Sequence, residues 1–165
     1  MELSFAQAAA FVCPHCGASV SPEVDWMQAA RNRWGWCGAQ AMDGGDVAGV
    51  LLLTPTADGD ALVKTLWVAR PGEGLGKRLV QSAIAGLTCR DVRDIVSPAA
   101  VGNPTCQLPP RAFLKRVGFT HLSGDPLYRL QLDSVITEKA SARQLMERLM
   151  ASFGNVPEAA TRVEG

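Results

Sequence analysis

The residues with the clearest chemical use are Arg70-Pro-Gly-Glu-Gly-Leu-Gly-Lys77. Glycines at 72, 74 and 76 leave the backbone without Cβ atoms, so successive amide N–H groups can close around an anion. A helix predicted to begin at the end of this stretch adds its positive dipole end and unpaired N–H groups at the same place. Arg70, Lys77 and Arg78 supply positive side chains. Such a loop fits a pyrophosphate. Two other phosphate loops do not fit. Gly76-Lys77 is followed by Arg78 where a nucleoside-triphosphate loop needs Ser or Thr, and the dinucleotide fingerprint sets its third glycine later and opens its fold. Taken alone, the spacing also suits a tight strand-to-helix turn that binds nothing.

Cys13-Pro-His-Cys-Gly17 is a second stretch with chemistry in it. A C-x-x-C followed by glycine has the shape of a zinc knuckle, in which one turn aims two sulfurs at one ion. Cys37 supplies a third ligand in this reading, and His15 or a residue from elsewhere a fourth. No second C-x-x-C exists, so a plain pair of reduced thiols stands beside structural zinc. A thioredoxin-like redox motif should close a strand and open a helix, whereas Gly17–Pro22 reads as loop. Five cysteines form an odd set in a chain with a large apolar fraction, which favours reduced thiols or a metal over a disulfide framework.

The elements that must position these residues follow from hydrophobic periodicity. Gly35–Met42, Val47–Thr54 and Ala61–Ala69 read as an antiparallel meander, with Asp43-Gly44-Gly45-Asp46 as a hairpin turn. Leu75, Leu79, Ala83 and Leu87 then recur every four residues beside Val80 and Ile84, which predicts an amphipathic helix ending near Gly86. Asp91–Ser97 follows as a strand, making a β-loop-α-β unit. Pro109 and Pro110 suit the start of a short helix over Arg111–Val117, stopped by Gly118. Phe119–Leu122 and Leu127–Leu132 close the sheet. Ser141-x-x-Gln144 resembles a capping box for a last helix, whose Leu/Met stripe suits core or a dimer face. The expected organisation is one domain over 1–154, with an unusual cysteine-bearing segment at 1–33, and a frayed tail at 155–165.

Leu66-Trp-Val-Ala-Arg-Pro-Gly-Glu-Gly-Leu-Gly-Lys-Arg-Leu-Val80 resembles the acyl-CoA motif of the GNAT superfamily of N-acyltransferases, and Phe113-Leu-Lys-Arg-Val-Gly-Phe119 resembles its second signature. The order of elements agrees over Trp34–Asp133. Trp34-Gly-Trp-Cys-Gly38 and Cys106-Gln-Leu-Pro-Pro-Arg-Ala-Phe-Leu114 are similar to a bacterial subgroup of unassigned substrate. The resemblance implies an α+β fold, with a mixed, mostly antiparallel sheet flanked by helices and splayed at the strand before the glycine loop. It implies that acetyl-CoA or another acyl-CoA binds with its pyrophosphate on Gly72, Gly74, Gly76 and Lys77, and Arg70 beside them. The pantetheine arm would lie along the backbone of Leu66 and Val68, and an amine of a small molecule or protein would attack the thioester directly. The segment 1–33 looks too short for the family's first strand and two helices.

The sequence also departs from the family. Pro71 stands where Arg or Gln is usual, and Leu114 replaces the tyrosine that protonates the leaving thiolate in many members. The strand Ala61–Val68 carries no carboxylate to act as base. Cys106 and His121 are the remaining catalytic candidates, each weighed against an inert buried thiol and a structural histidine; Tyr128 falls on an apolar face. A catalytically silent acyl-CoA-binding or protein-interaction module is the alternative function.

At 165 residues, 47% hydrophobic and 19% charged, the chain can bury one ordinary core. Sixteen basic and sixteen acidic residues cancel, and no basic run interleaves the tryptophans, which argues against nucleic acid as partner. No apolar run approaches the roughly 18–20 residues of a membrane span. The start lacks a basic stretch before Ala8–Cys13, so the expected location is cytoplasmic.

Overall fold

The computed structural model describes residues 3–19, 24–100, 108–124 and 126–135. The chain divides into two units, Met1–Leu132 and Asp133–Gly165. The fold below is that of the first. The predicted last helix, and Cys106, lie outside the described residues.

Two helices precede the sheet, α1 at Phe5–Ala10 and α2 at Val24–Trp34. The segment 1–33 was expected to be too short for a first strand and two helices; two helices form, the second running on to Trp34. The signals were present: Ser4 caps α1 and Gln7 completes a capping box, while Trp26, Ala30 and Trp34 form a buried stripe at spacing four on α2. Gly35 was expected to open a strand. At φ 64°, with its N–H bonded to the Arg31 carbonyl at 3.0 Å, it instead closes α2.

The strands are β1 (Gly38–Asp43), β2 (Asp46–Pro55), β3 (Ala61–Val68), β4 (Asp94–Pro98), β5 (Thr120–His121) and β6 (Leu127–Gln131). They form one sheet in the order β1-β2-β3-β4-β6-β5. All neighbours are antiparallel except β3 and β4. The expected mixed, mostly antiparallel α+β architecture is thus the observed one.

β2 is buried without a break from Ala48 to Thr54, as a strand covered on both faces must be. On one face lies α3 (Leu75–Thr88), which buries Leu79, Val80, Ala83, Ile84 and Leu87, the stripe legible in the sequence. Leu79 and Val68 both crowd Gly49, so Val68 points to the α3 side. Trp67, next along β3, must point to the other, where the ring of Phe11 meets it 5.7 Å between centroids.

α3 runs through Gly86, which was expected to stop it. A Cβ there would sit 3.1 Å from Trp36, so this glycine serves helix packing. The chain turns later, at Asp91 (φ 53°), which delays β4 to Asp94. α4 (Arg111–Arg116) ends as predicted against Gly118 at φ 101°.

Candidate active site

The site begins with a failure of strand pairing. β3 matches β2 along its whole length, but it meets β4 at two places only, Ala61↔Ile95 and Leu62↔Val96. Beyond them β4 stays paired with β6 through Pro98, so β3 and β4 part over Val63–Val68. The predicted splay therefore lies where the sequence resemblance put it.

The parity of the ladder decides which backbone groups face the opening. Ala69 donates its N–H to the Ala48 carbonyl at 2.8 Å, on the β2 side. Main-chain groups alternate sides along a strand, so those of Leu66 and Val68 point away from β2, toward the parted edge. Ser97, fully buried, is the first β4 residue past the last rung.

Directly after β3 comes the glycine loop. Gly72 (φ 96°) and Gly74 (φ 82°) occupy left-handed backbone that only glycine adopts cheaply. A Cβ at either would meet nothing within 4 Å, so the loop presents bare main chain to open space. Gly74 is the N-cap of α3 and offers no side-chain bond to the first turn. The first intrahelical bond runs from Arg78 N–H to the Gly74 carbonyl at 3.1 Å, leaving the amides of Leu75, Gly76 and Lys77 without an acceptor inside the helix. Lys77 and Arg78 are exposed on this turn. These groups fit an anion.

The third glycine differs. Gly76 is buried, and a Cβ there would lie 3.0 Å from Cε2 of Phe113 on α4. Its bareness serves contact between the two helices that carry the two sequence signatures. Arg70 is also more engaged than its type suggests. Its guanidinium bonds Asp43 at the β1–β2 hairpin and lies 3.0 Å, through Nε, from Glu73 of the loop.

Of the two catalytic candidates, His121 lies among the described residues. His121 is exposed on β5, the edge strand, its ring 5.0 Å from that of Tyr128. The register sets His121 opposite Tyr128 and Tyr128 opposite Ser97, so the three share one face in a row ending at the parted strands. Ser97 and this row were not legible beforehand, because cross-strand register joins residues distant in sequence. Leu114 is 1% exposed, a core side chain at the position of the family's tyrosine.

The cysteines do not assemble as expected. Gly17 N–H bonds the Cys13 carbonyl at 2.9 Å and Val12 bridges Ser19, so the knuckle-like turn forms. Yet among the described residues no three His, Cys, Asp or Glu side chains converge in a group able to hold a metal ion, and Cys13, Cys16 and Cys37 are not brought together as ligands. Cys13 and Cys37 are buried while Cys16 is exposed. Cys37 points at the Leu3 carbonyl, 4.0 Å away, and burial pushes its thiol up to about 11, against the nearby charge of Arg31. A metal ligand needs the opposite shift.

No helix among the described residues is long and apolar enough to cross a membrane. No family model matches the sequence, and no curated protein matches it. Solved structures do. A GNAT-family structure from Desulfovibrio desulfuricans aligns with a TM-score of 0.52 at 21% identity, over 77% of this chain and 87% of that one. A GNAT family acetyltransferase from Brucella melitensis, solved in complex with acetyl-CoA, aligns with a TM-score of 0.51 at 21% identity, over 79% and 85%. The protein has the GNAT fold.

Proposed function

We propose that this protein is an acyl-CoA-dependent N-acyltransferase, moving an acetyl or related acyl group to an amine of a small molecule or protein. The observation that carries the reading is the parting of β3 from β4 immediately before an uncapped, glycine-lined helix start. An extended arm bearing amides can lie against the freed edge of β3, bonding the main chain of Leu66 and Val68 as a strand would. A pyrophosphate at the end of that arm then meets the amides of Gly72, Gly74, Gly76 and Lys77 at the positive end of α3. The Brucella melitensis structure that shares the fold carries acetyl-CoA.

The chemistry is direct. The amine lone pair attacks the thioester carbonyl carbon, the tetrahedral adduct collapses, and the C–S bond breaks. One proton leaves the nitrogen and one reaches the departing sulfur. His121 is our candidate for the first, acting through water; Cys106 is the second candidate side chain. The proposed setting is the cytoplasm.

A silent acyl-CoA-binding module is the second reading. The buried Leu114, and a β3 without any carboxylate, favour it. Isothermal titration with acetyl-CoA and desulfo-CoA tests the shared premise, and no binding at millimolar cofactor rejects it. Thiol release with a panel of amines then separates enzyme from binder. In the enzyme reading His121→Ala lowers kcat and leaves the KM for acetyl-CoA unchanged.

A further inference from the structure

We infer that Arg70 is a strut and not a phosphate ligand, and that Asp43, a residue of the β1–β2 hairpin, is thereby a positioning residue for the cofactor loop. The inference rests on the acyl-CoA reading of that loop. Among the described residues, every side-chain hydrogen bond and ion pair of the stretch 69–77 passes through Arg70. At Gly72 and Gly74 the loop has no packing on the side where a Cβ would stand, which is open space. Left to itself such a backbone is the most mobile a chain can offer, and ordering it would be charged against ligand binding.

The strut has a firm footing. Asp43 and Asp46 close the hairpin across Gly44 (φ 59°) and Gly45 (φ 100°), the backbone signs of a tight two-residue turn matched to strand twist. β2 then runs beside the end of β3, with Gly49 opposite Val68 and the Ala48 carbonyl bound to Ala69 N–H. The hairpin tip and the loop therefore stand at the same end of the sheet. Arg70 spans them, with Nη2 on Asp43 and Nε on Glu73, the planar fork suiting two carboxylates at once. It also offsets part of the charge of Glu73, an acid in a loop meant for an anion.

A ligand role for Arg70 predicts the opposite response to one substitution. Were Arg70 a phosphate ligand restrained by Asp43, Asp43→Asn would release it and remove a negative charge, so CoA would bind more tightly. With Arg70 as a strut, Asp43→Asn weakens CoA binding by about three- to fivefold, although it removes a negative charge near an anion. Asp43→Glu, which keeps the carboxylate, restores most of the loss. Amide hydrogen exchange over 72–76 in the ligand-free protein should quicken in Asp43→Asn while the core strands keep their protection. CoA binding in Asp43→Asn equal to or tighter than in the wild type overturns the inference. Should the wild type bind no CoA at all, the acyl-CoA reading fails, and the exchange measurement still decides the strut: unchanged exchange over 72–76 removes it.

Discussion

Gly76 on α3 and Phe113 on α4 are pressed together so closely that a methyl group at 76 would lie 3.0 Å from Cε2 and 3.1 Å from Cζ of the ring. The glycine belongs to the cofactor-loop signature and the phenylalanine to the second signature. Their separation in sequence hides that they are two halves of one contact. The start of α3 is thus held from behind by Phe113 and from the side by the Arg70 pairs.

Gly76→Ala should therefore push the ring aside. We expect a loss of about 1–2 kcal/mol in chemical denaturation, because overpacking a formed contact forces neighbours from their rotamers. Phe113→Leu in the same chain should return part of it by shortening the obstacle. If Gly76→Ala is neutral, the contact does not restrain α3.

Gly74→Ala probes conformation without sterics. Its Cβ would find open space, but φ 82° costs an L side chain about 1–2 kcal/mol. Gly74→Asn should cost less, since asparagine tolerates left-handed backbone better. Equal losses for the two, measured by denaturation, would count against the left-handed cap.

Gly38→Ala should be the most damaging glycine substitution. Its Cβ would lie 2.0 Å from the Leu51 carbonyl oxygen, a backbone atom that cannot move without opening the β1–β2 ladder. We expect a loss of about 4 kcal/mol or more, or no folded protein. Gly44→Ala, strained by φ 59° but facing open space, is the control and should cost far less.

Cys37 gives a pH dependence. Burial raises its thiol from 9.0 to about 11, so the folded chain holds the proton where the unfolded chain releases it. The stabilisation is full below about pH 9 and is lost as pH rises toward 11, on the order of 2–3 kcal/mol. Cys37→Ala should flatten this part of the stability profile. Denaturation midpoints at pH 8 and 10.5 that fall equally in both proteins would assign the slope to other groups.

Local features carried much of the fold into the sequence. The α3 stripe from Leu75 to Leu87, the turn at Gly44-Gly45 and the alternation of Tyr128 and Leu130 are periodic or compositional signals between near neighbours, and each reappears in place. Other features misled because one residue type serves two ends. Gly35 and Gly86 both read as punctuation with the wrong partner: the first ends α2, the second lets Trp36 approach α3. The α2 stripe went unread because two of its three inward residues are tryptophans, which fit a cleft lining as well as a helix face.

The sequence by itself determined the glycine loop, the helix that follows it, the order of elements from the first hairpin onward and the departures at Pro71 and Leu114, because these depend on residue type and short spacing. Only the tertiary structure decided what those residues do. It assigned Gly72 and Gly74 to backbone geometry and Gly76 to Phe113, gave Arg70 two carboxylate partners, kept three cysteines from forming one site, and opened β3 from β4. The reason is physical: periodicity and propensity act between neighbours along the chain, whereas register, close approach and charge pairing join residues that only folding brings together.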